Sequence, residues 1–127
     1  MFCAKFFFDL FHRVVKGFVI QGGFLPTRSE PLDITQDRHV HKMAPEFSDI
    51  QHDKGTVSLA HGDDPASGDT SFFVVLARMP VLDGKYTAFA KVVEGMDVVE
   101  KIEQVPVNGE TPVMRIELRK VTVSKAP

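Results

Sequence analysis

A turn at Lys16-Gly17, between two pairs of β-branched residues, is the feature that most constrains how this chain can fold. Val14-Val15 precede the turn and Val19-Ile20 follow it. β-branched residues favour strands, and glycine reaches the left-handed backbone conformation that a tight hairpin needs. The segment therefore predicts two antiparallel strands joined by a very short loop.

The length of this loop decides which side chains share a face of the sheet. We expect a three-residue loop, residues 15–17, which places Arg13 opposite Val19. Directly opposed residues share a face and strand residues alternate with a period of two, so Arg13, Val19 and Gln21 would then point the same way. A two-residue loop would separate Arg13 from Gln21. Phe18 would face away unless a bulge redirects its side chain.

The composition indicates one domain and gives no sign of a nucleic-acid or membrane partner. The 127 residues are 43% hydrophobic, and 15 basic and 17 acidic residues are interspersed to give a formal charge of −2. No apolar run approaches the roughly 18 residues that cross a bilayer. The aromatic run at 6–8 ends at Asp9 and lacks an Ala-x-Ala cleavage pattern, which argues against a signal peptide.

Cys3 is the only cysteine, so an internal disulfide is impossible. Disulfides are rare in the reducing cytoplasm and frequent in small secreted domains. We therefore expect a cytoplasmic protein.

Beyond the hairpin, the sequence pattern predicts a mainly β domain with one recognisable helix. Apolar residues recur at helical spacing in 95–103, whereas residues 24–54 are rich in turn formers and predict a long irregular excursion. The run 71–77 is continuously apolar, so we expect it to be buried on both faces. The predicted strands after the hairpin are 56–60, 71–77, 86–92 and 114–123, and they favour an antiparallel barrel or sandwich.

Two groups of polar residues carry a possible metal-binding pattern. His39 and His41 form a His-x-His pair with His52 downstream, and such a set could bind a divalent ion if the loop folded back. A solvated loop is the interpretation that we favour. The aspartates at 63, 64 and 69 lack the spacing of an EF-hand and predict turns. We expect no metal.

A series of short motifs, taken in order, resembles the cyclophilins. The motifs are Phe11-His12-Arg13, Gly17-Phe18, Gln21-Gly22-Gly23, the run Gly-Thr-Val-Ser-Leu-Ala at 55–60, Ser71-Phe72-Phe73, the run Leu-Asp-Gly-Lys-Tyr at 82–86, and the helix entry at 93–99. The resemblance implies peptidyl-prolyl cis-trans isomerase activity on an eight-stranded antiparallel barrel, with neither metal nor cofactor. The implied partners are proline-containing peptides and unfolded proteins.

The resemblance also implies which residues form the site. Arg13 would face the amide nitrogen that precedes proline, while Phe18 and Phe73 would line the proline pocket. Gln21 would hold the carbonyl side of the substrate, which makes Arg13, Gln21 and Phe18 the implied catalytic set. The residues implied in substrate binding are Val19, Ala60, His61, Ser71, Phe73, Val81, Leu82 and Tyr86.

Simpler structural roles exist for each of these side chains. Arg13 alone would more often be an exposed strand arginine or half of an ion pair, and Phe18 and Phe73 would more often be core residues. Gln21 could satisfy backbone groups. Several positions depart from the family, and among them Ser71 stands where many members have glutamine, His61 where asparagine is common, and Val81 where some have tryptophan. At Val81 the resemblance implies weak cyclosporin binding.

The start of the chain also departs from the family pattern. Cyclophilins place two strands and a helix before the Phe-His-Arg strand, where this chain has only residues 1–10. We therefore divide the chain into an atypical segment (1–10), a partial cyclophilin-like domain (11–124) that lacks the first two strands and first helix, and a tail (125–127). Phe2, Phe6, Phe7 and Phe8 could cover part of the exposed face, but ten residues cannot replace two strands and a helix.

This departure leaves three interpretations open. The chain is an isomerase, a non-catalytic module that binds proline peptides, or an inactive fragment. Open barrel edges expose unpaired backbone groups, so a strand-pairing oligomer is a further possibility.

Overall fold

The structure is a computed structural model that describes the backbone of residues 7–125 and the side chains from Leu10 onward. The expectations for Phe2, Cys3, Phe6 and the side chains of Phe7 and Phe8 lie outside the described part of the chain. In the described part, no helix has the length and apolar character needed to cross a membrane.

The described residues form a mainly β domain, as the sequence predicts. Six strands make one antiparallel sheet in the order β5-β3-β4-β2-β1-β8, and β6 pairs with β7 in a separate ribbon. The strands are β1 (Phe7–Val15), β2 (Val19–Gly22), β3 (Thr56–Leu59), β4 (Phe72–Val75), β5 (Ala88–Lys91), β6 (Val107–Asn108), β7 (Thr111–Pro112) and β8 (Glu117–Lys120), and the helices are α1 (Ile34–Asp37) and α2 (Met96–Glu103).

The hairpin between β1 and β2 has the expected odd loop length, but the loop lies one residue further along the chain. Arg13 pairs with Gln21 and Val15 with Val19, so the expected pairing of Arg13 with Val19 is wrong. The consequence for the faces is unchanged, because both registers place Arg13, Val19 and Gln21 on one side of the sheet. This shared face is therefore confirmed.

The shift has a local cause at the turn. The N–H of Phe18 donates to the carbonyl of Val15 at 2.9 Å, so the turn is centred on Lys16 and Gly17 rather than one residue earlier. Gly17 takes the left-handed conformation, with φ of 73°. Phe18 thus lies in the loop, where strand alternation does not constrain its ring, and it packs against the cluster that contains Val19.

The central strands bury side chains on both faces. Residues 73–76 are all buried, which confirms the prediction for the centre of the run 71–77, whereas Ser71, Phe72 and Ala77 at its ends are half-buried. One face carries the buried cluster Val14, Ile20, Val74 and Leu76, against which Val99 and Ile102 of α2 pack. The other face carries the buried cluster Val19, Phe73, Val75 and Leu82.

Helix α2, predicted from its spacing, is also tied to the hairpin by polar contacts. The carboxylate of Glu103 accepts a hydrogen bond from the N–H of Gly17 at 2.7 Å. Lys54, just before β3, donates to Glu100 at 2.6 Å. The first contact connects α2 to the loop that contains Phe18, and the second connects it to the start of β3.

The irregular segment 24–54 contains a helix that the sequence analysis missed. Asp33 caps α1 by accepting from the N–H of Gln36 at 2.8 Å, and the Gln36 side chain accepts from the N–H of Asp33. This is a capping box, and its Asp-x-x-Gln pattern was visible in the sequence. The last strand was predicted over 114–123 and is shorter at both ends, since β8 spans only Glu117–Lys120.

Gly23 offers a test of how closely the backbone packs behind β2. A Cβ atom at Gly23 would lie 2.3 Å from the carbonyl oxygen of Thr70, and φ there is 79°. Gly23→Ala should therefore lower the free energy of unfolding by about 3 kcal/mol, combining left-handed strain with the clash. Gly109→Ala is the control, because φ there is 67° with nothing within 4 Å, and it should cost about 1 kcal/mol. Urea unfolding measures both, and equal losses would contradict the packing.

Candidate functional site

The pairing of β1, β2 and β4 aligns three of the predicted site residues in one row. Arg13 on β1 is opposite Gln21 on β2, and Gln21 is opposite Phe73 on β4. Opposed residues share a face, so all three side chains project from the same side of the sheet. Nη1 of Arg13 donates to Oε1 of Gln21 at 3.2 Å.

A recess of about 110 Å³ lies beside this row. All of its lining residues are among the eleven site residues predicted from the sequence. They are Arg13, Phe18, Val19, Gln21, Ala60, His61, Phe73, Leu82 and Tyr86.

Two predicted residues, Ser71 and Val81, do not line the recess. The backbone carbonyl of Ser71 accepts from the N–H of Ala60 at 2.8 Å. Val81 is 61% exposed on the 3-10 helical turn Pro80–Leu82, whose buried residue is Leu82. A substrate contact by either residue stays a prediction.

Arg13 has a second partner that the sequence analysis missed. Nε of Arg13 donates to Oε2 of Glu110 at 2.5 Å, and the two side chains are 34% and 54% exposed. The hydrogen bond and charge of Arg13 lower the pKa of the Glu110 carboxyl below its usual value. Asn108-Gly109 between β6 and β7 is a hairpin signal that could have placed this turn, but not its contact with Arg13.

Stacked aromatic rings form one side of the recess. The rings of His61 and Tyr86 are nearly parallel, with centroids 4.2 Å apart. Tyr86 meets Phe73 edge to face at 5.5 Å. The two ring nitrogens of His61 lie 2.6 Å and 2.9 Å from the carbonyl oxygens of Gly62 and Lys85. These contacts hold the two loops that border the recess against each other.

A buried polar network supports the wall that contains Phe73. The ring of His52 is fully buried and stacks on Phe73 with centroids 6.3 Å apart. Its nitrogens lie 3.1 Å from Asp83 Oδ1 and 3.1 Å from Ser58 Oγ. Arg78 donates to both carboxylate oxygens of Asp83. His52 is therefore engaged in holding the wall.

The possible metal site is not assembled in the described residues. His39 and His41 are exposed, whereas His52 is buried in the network with Asp83. Across residues 7–125, no group of three or more potential ligands is placed to hold a metal ion.

A larger depression of about 520 Å³ lies along β5. It is lined by Ile50, Gln51, Asp53, Thr56, Ala88, Phe89, Ala90 and Lys91. None of the predicted site residues is among them, and it follows the edge of the sheet rather than the aligned row. The smaller recess is the better candidate because apolar walls and convergent polar groups meet there.

Asp83 gives the supporting network a dependence on pH. Hydrogen bonds from Arg78, and then from the backbone N–H of His52, hold the pKa of Asp83 well below its usual range. A depressed carboxyl pKa stabilises the folded chain above the unfolded pKa, and this stabilisation is lost as pH falls. The free energy of unfolding should therefore decrease as pH is lowered from about 5 towards 2, and less steeply in Asp83→Asn.

Urea unfolding at several pH values measures this slope. Asp49→Asn, at an exposed position, is the matched control and should keep the slope of the unsubstituted chain. An Asp83→Asn slope equal to that of the control would contradict the network.

Comparison with known protein families identifies one family model over nearly the whole chain. The model for "Cyclophilin type peptidyl-prolyl cis-trans isomerase/CLD" matches residues 1–123.

Individual relatives carry the same name. The chain is 40% identical over 102 residues to the peptidyl-prolyl cis-trans isomerase CYP23 of Arabidopsis thaliana, covering 79% of this chain and 45% of that protein. It is 30% identical over 134 residues to human peptidyl-prolyl cis-trans isomerase-like 3, covering 98% of this chain and 79% of the relative. The chain thus spans about half of the first protein and most of the second.

The fold is similar to that of a solved cyclophilin. A cyclophilin-type peptidyl-prolyl cis-trans isomerase of Cryptosporidium parvum, crystallised in the presence of the dipeptide Ala-Pro, superposes with a TM-score of 0.77. The match covers 94% of this chain and 77% of the other, at 23% identity. At this identity the likeness shows a shared fold.

Proposed function

Because this chain belongs to the cyclophilin-type peptidyl-prolyl cis-trans isomerase family, we propose that its recess accelerates rotation about X-Pro bonds in peptides and unfolded proteins. The family acts on proline-containing peptides. The observation that carries the proposal is the row of Arg13, Gln21 and Phe73 beside an apolar recess.

The reaction explains why a cation and an apolar recess suffice. Resonance holds the X-Pro bond planar with a barrier of about 18 to 20 kcal/mol, and isomers interconvert in tens to hundreds of seconds. No covalent bond breaks. In the twisted transition state the nitrogen becomes pyramidal and regains a lone pair, so a fixed donor interacts with it more strongly than in the planar ground state.

The required stabilisation is modest. Raising a rate from about 10⁻² to about 10² per second needs roughly 5 to 6 kcal/mol. A charge-assisted hydrogen bond to the pyramidal nitrogen supplies part of this, and confinement of the proline ring supplies the rest. Neither contribution needs a metal or a covalent intermediate.

Arg13 is the donor in this proposal. Its Nε is paired with Glu110 and its Nη1 with Gln21, while Nη2 has no hydrogen-bond partner among residues 7–125. Nη2 is therefore the nitrogen that faces the substrate amide. Arginine suits the role because the guanidinium stays protonated and its planar shape fixes the donor direction.

The recess receives the proline ring. Its walls are the apolar side chains of Phe18, Val19, Phe73 and Leu82, with Tyr86 at one side. A volume of about 110 Å³ suits one small ring, whereas pockets for drug-sized ligands are about 300 to 1,000 Å³.

The strand end at Ala60 and His61 borders the extended peptide. The N–H of Ala60 is occupied by the carbonyl of Ser71, so Ala60 contributes its methyl group and carbonyl rather than its amide. Gln21 acts on the substrate carbonyl side while it restrains Arg13. Ser71 and Val81 would touch residues of the peptide further from the proline.

Substitution of Arg13 tests the catalytic role. Arg13→Ala should reduce the catalysed rate of isomer exchange by about 10² to 10³, because it removes a donor used in the transition state. NMR exchange spectroscopy on a proline peptide, with and without the chain, measures the rate. Arg119→Ala is the control, because the Arg119 side chain is 81% exposed on β8, and it should leave the rate unchanged.

The same experiment separates the alternatives. Peptide binding without acceleration in the unsubstituted chain would indicate a non-catalytic binding module. Neither binding nor acceleration, together with non-cooperative unfolding, would indicate an inactive fragment. Acceleration that survives Arg13→Ala would contradict the role of Arg13.

The outer edge of β5, which pairs with no other strand among residues 7–125, supports a further proposal, a strand-paired oligomer of this chain. β5 is an edge strand of the six-stranded sheet, it carries Lys91 as its charged residue, and Phe89 on it is 59% exposed. An edge with one charge and an exposed aromatic residue favours pairing with another strand. The proposed partner of this edge is a second copy of the same chain.

Sedimentation velocity over a concentration series measures this association. The unsubstituted chain should associate as its concentration rises, and Phe89→Lys should prevent association by placing a second charge on the edge. Val93→Lys, at a position that is 94% exposed beyond the strand, should not. A monomer at every concentration would overturn the proposal.

The cytoplasm remains the proposed compartment, supported by the single cysteine.

A further inference from the structure

Arg13 is restrained from two different elements of the fold. Gln21, on the neighbouring strand, accepts from Nη1 at 3.2 Å. Glu110, 97 residues away in the sequence, accepts from Nε at 2.5 Å. The guanidinium is thus held at two nitrogens, and the third, Nη2, has no hydrogen-bond partner within residues 7–125.

We propose that Glu110 is a positioning residue, which fixes the guanidinium of Arg13 so that Nη2 faces the recess. This inference rests on the proposed isomerase function and adds to it a residue outside the recess lining. Glu110 would act through Arg13 and would not touch the substrate.

The backbone around Glu110 makes it a firm support. Its carbonyl oxygen accepts from the N–H of Val14, the residue after Arg13, at 2.7 Å. The turn is itself closed by the pairing of Asn108 with Thr111. Glu110 is therefore joined to β1 twice, by its backbone and by its side chain. A carboxylate anchored in this way has little freedom to move away with the arginine.

Arg13 needs such a support because it is partly exposed. Its side chain is 34% exposed. Arginine has several rotatable bonds, and holding them in one geometry costs conformational entropy. Gln21 alone gives one contact at 3.2 Å, which leaves the guanidinium free to pivot about that bond. A second contact at Nε restricts this pivot, because the two hydrogen bonds and the covalent attachment at Cδ together fix three points of the planar group.

The charge state of Glu110 agrees with a contact that persists at neutral pH. Arg13 lowers the pKa of Glu110, mainly through the hydrogen bond and then through its charge. Glu110 therefore stays ionised wherever an isomerase assay is run near neutral pH.

Three substitutions test the inference through catalysis. Glu110→Ala should lower kcat and kcat/KM together by about tenfold with KM unchanged, because orientation is lost while ground-state binding is kept. Glu110→Gln keeps an acceptor oxygen and should stay within about threefold of the unsubstituted chain. Glu117→Ala is the matched control, because Glu117 is also paired with arginines, Arg115 and Arg119.

A spectroscopic measurement tests the contact without a substrate. The Nε–H resonance of Arg13 in a ¹H–¹⁵N spectrum should be shifted and slowly exchanging in the unsubstituted chain and in Glu110→Gln. In Glu110→Ala it should move to the position of a solvated arginine. Circular dichroism on each variant establishes that it is folded, and the Glu110→Gln spectrum decides the contact even if Glu110→Ala unfolds.

The outcomes separate this inference from the proposed function. If Arg13→Ala leaves the rate unchanged, the isomerase proposal for Arg13 fails. If Arg13→Ala abolishes acceleration but Glu110→Ala behaves as Glu117→Ala does, the positioning role fails and the function stands. A rise in KM at constant kcat would also overturn positioning, since it would place Glu110 in substrate binding.

Discussion

The pairing register of three neighbouring strands is the constraint on which the site depends. Arg13, Gln21 and Phe73 lie in one row because β1, β2 and β4 pair at these residues. A slip of one residue would turn a strand over and send its site residues into the opposite cluster, where Ile20 and Val74 pack against α2. Burial of apolar residues on both faces penalises such a slip, so the same packing that stabilises the sheet also fixes the geometry of the site.

The partners of Arg13 affect both its charge and the freedom of its guanidinium to move. A carboxylate beside the guanidinium weakens its positive potential, which would reduce catalysis if net charge alone mattered. The arrangement instead favours direction: Glu110 and Gln21 hold two nitrogens, and within the described part of the chain Nη2 is left as the donor available to a substrate. For a reaction whose transition state differs from its ground state chiefly in the shape of one nitrogen, a correctly aimed donor contributes more than a stronger but mobile charge.

The parts of the fold that were predicted correctly are those that residues close together in the sequence determine. Gly17 beside β-branched residues gave the hairpin and its odd loop, and the spacing of Met96, Val99 and Ile102 gave α2. The motif order led to every residue that lines the recess. The exact hairpin register was missed because the turn is closed between the N–H of Phe18 and the carbonyl of Val15, which places Phe18 in the loop, whereas β-branched residues on both sides of Gly17 fit strands in either register. Glu110 was missed because its partner is 97 residues away, and no spacing rule reports such a pair.

The central claim is that the proline ring occupies the recess beside this row, and intermolecular nuclear Overhauser effects test it most directly. With an isotope-labelled chain and an unlabelled Ala-Pro peptide, we predict contacts from the proline ring protons to the methyl groups of Leu82 and the ring of Phe73. Contacts from the proline to Phe89 and Ala88, in the larger depression along β5, with none to Phe73, would contradict the account.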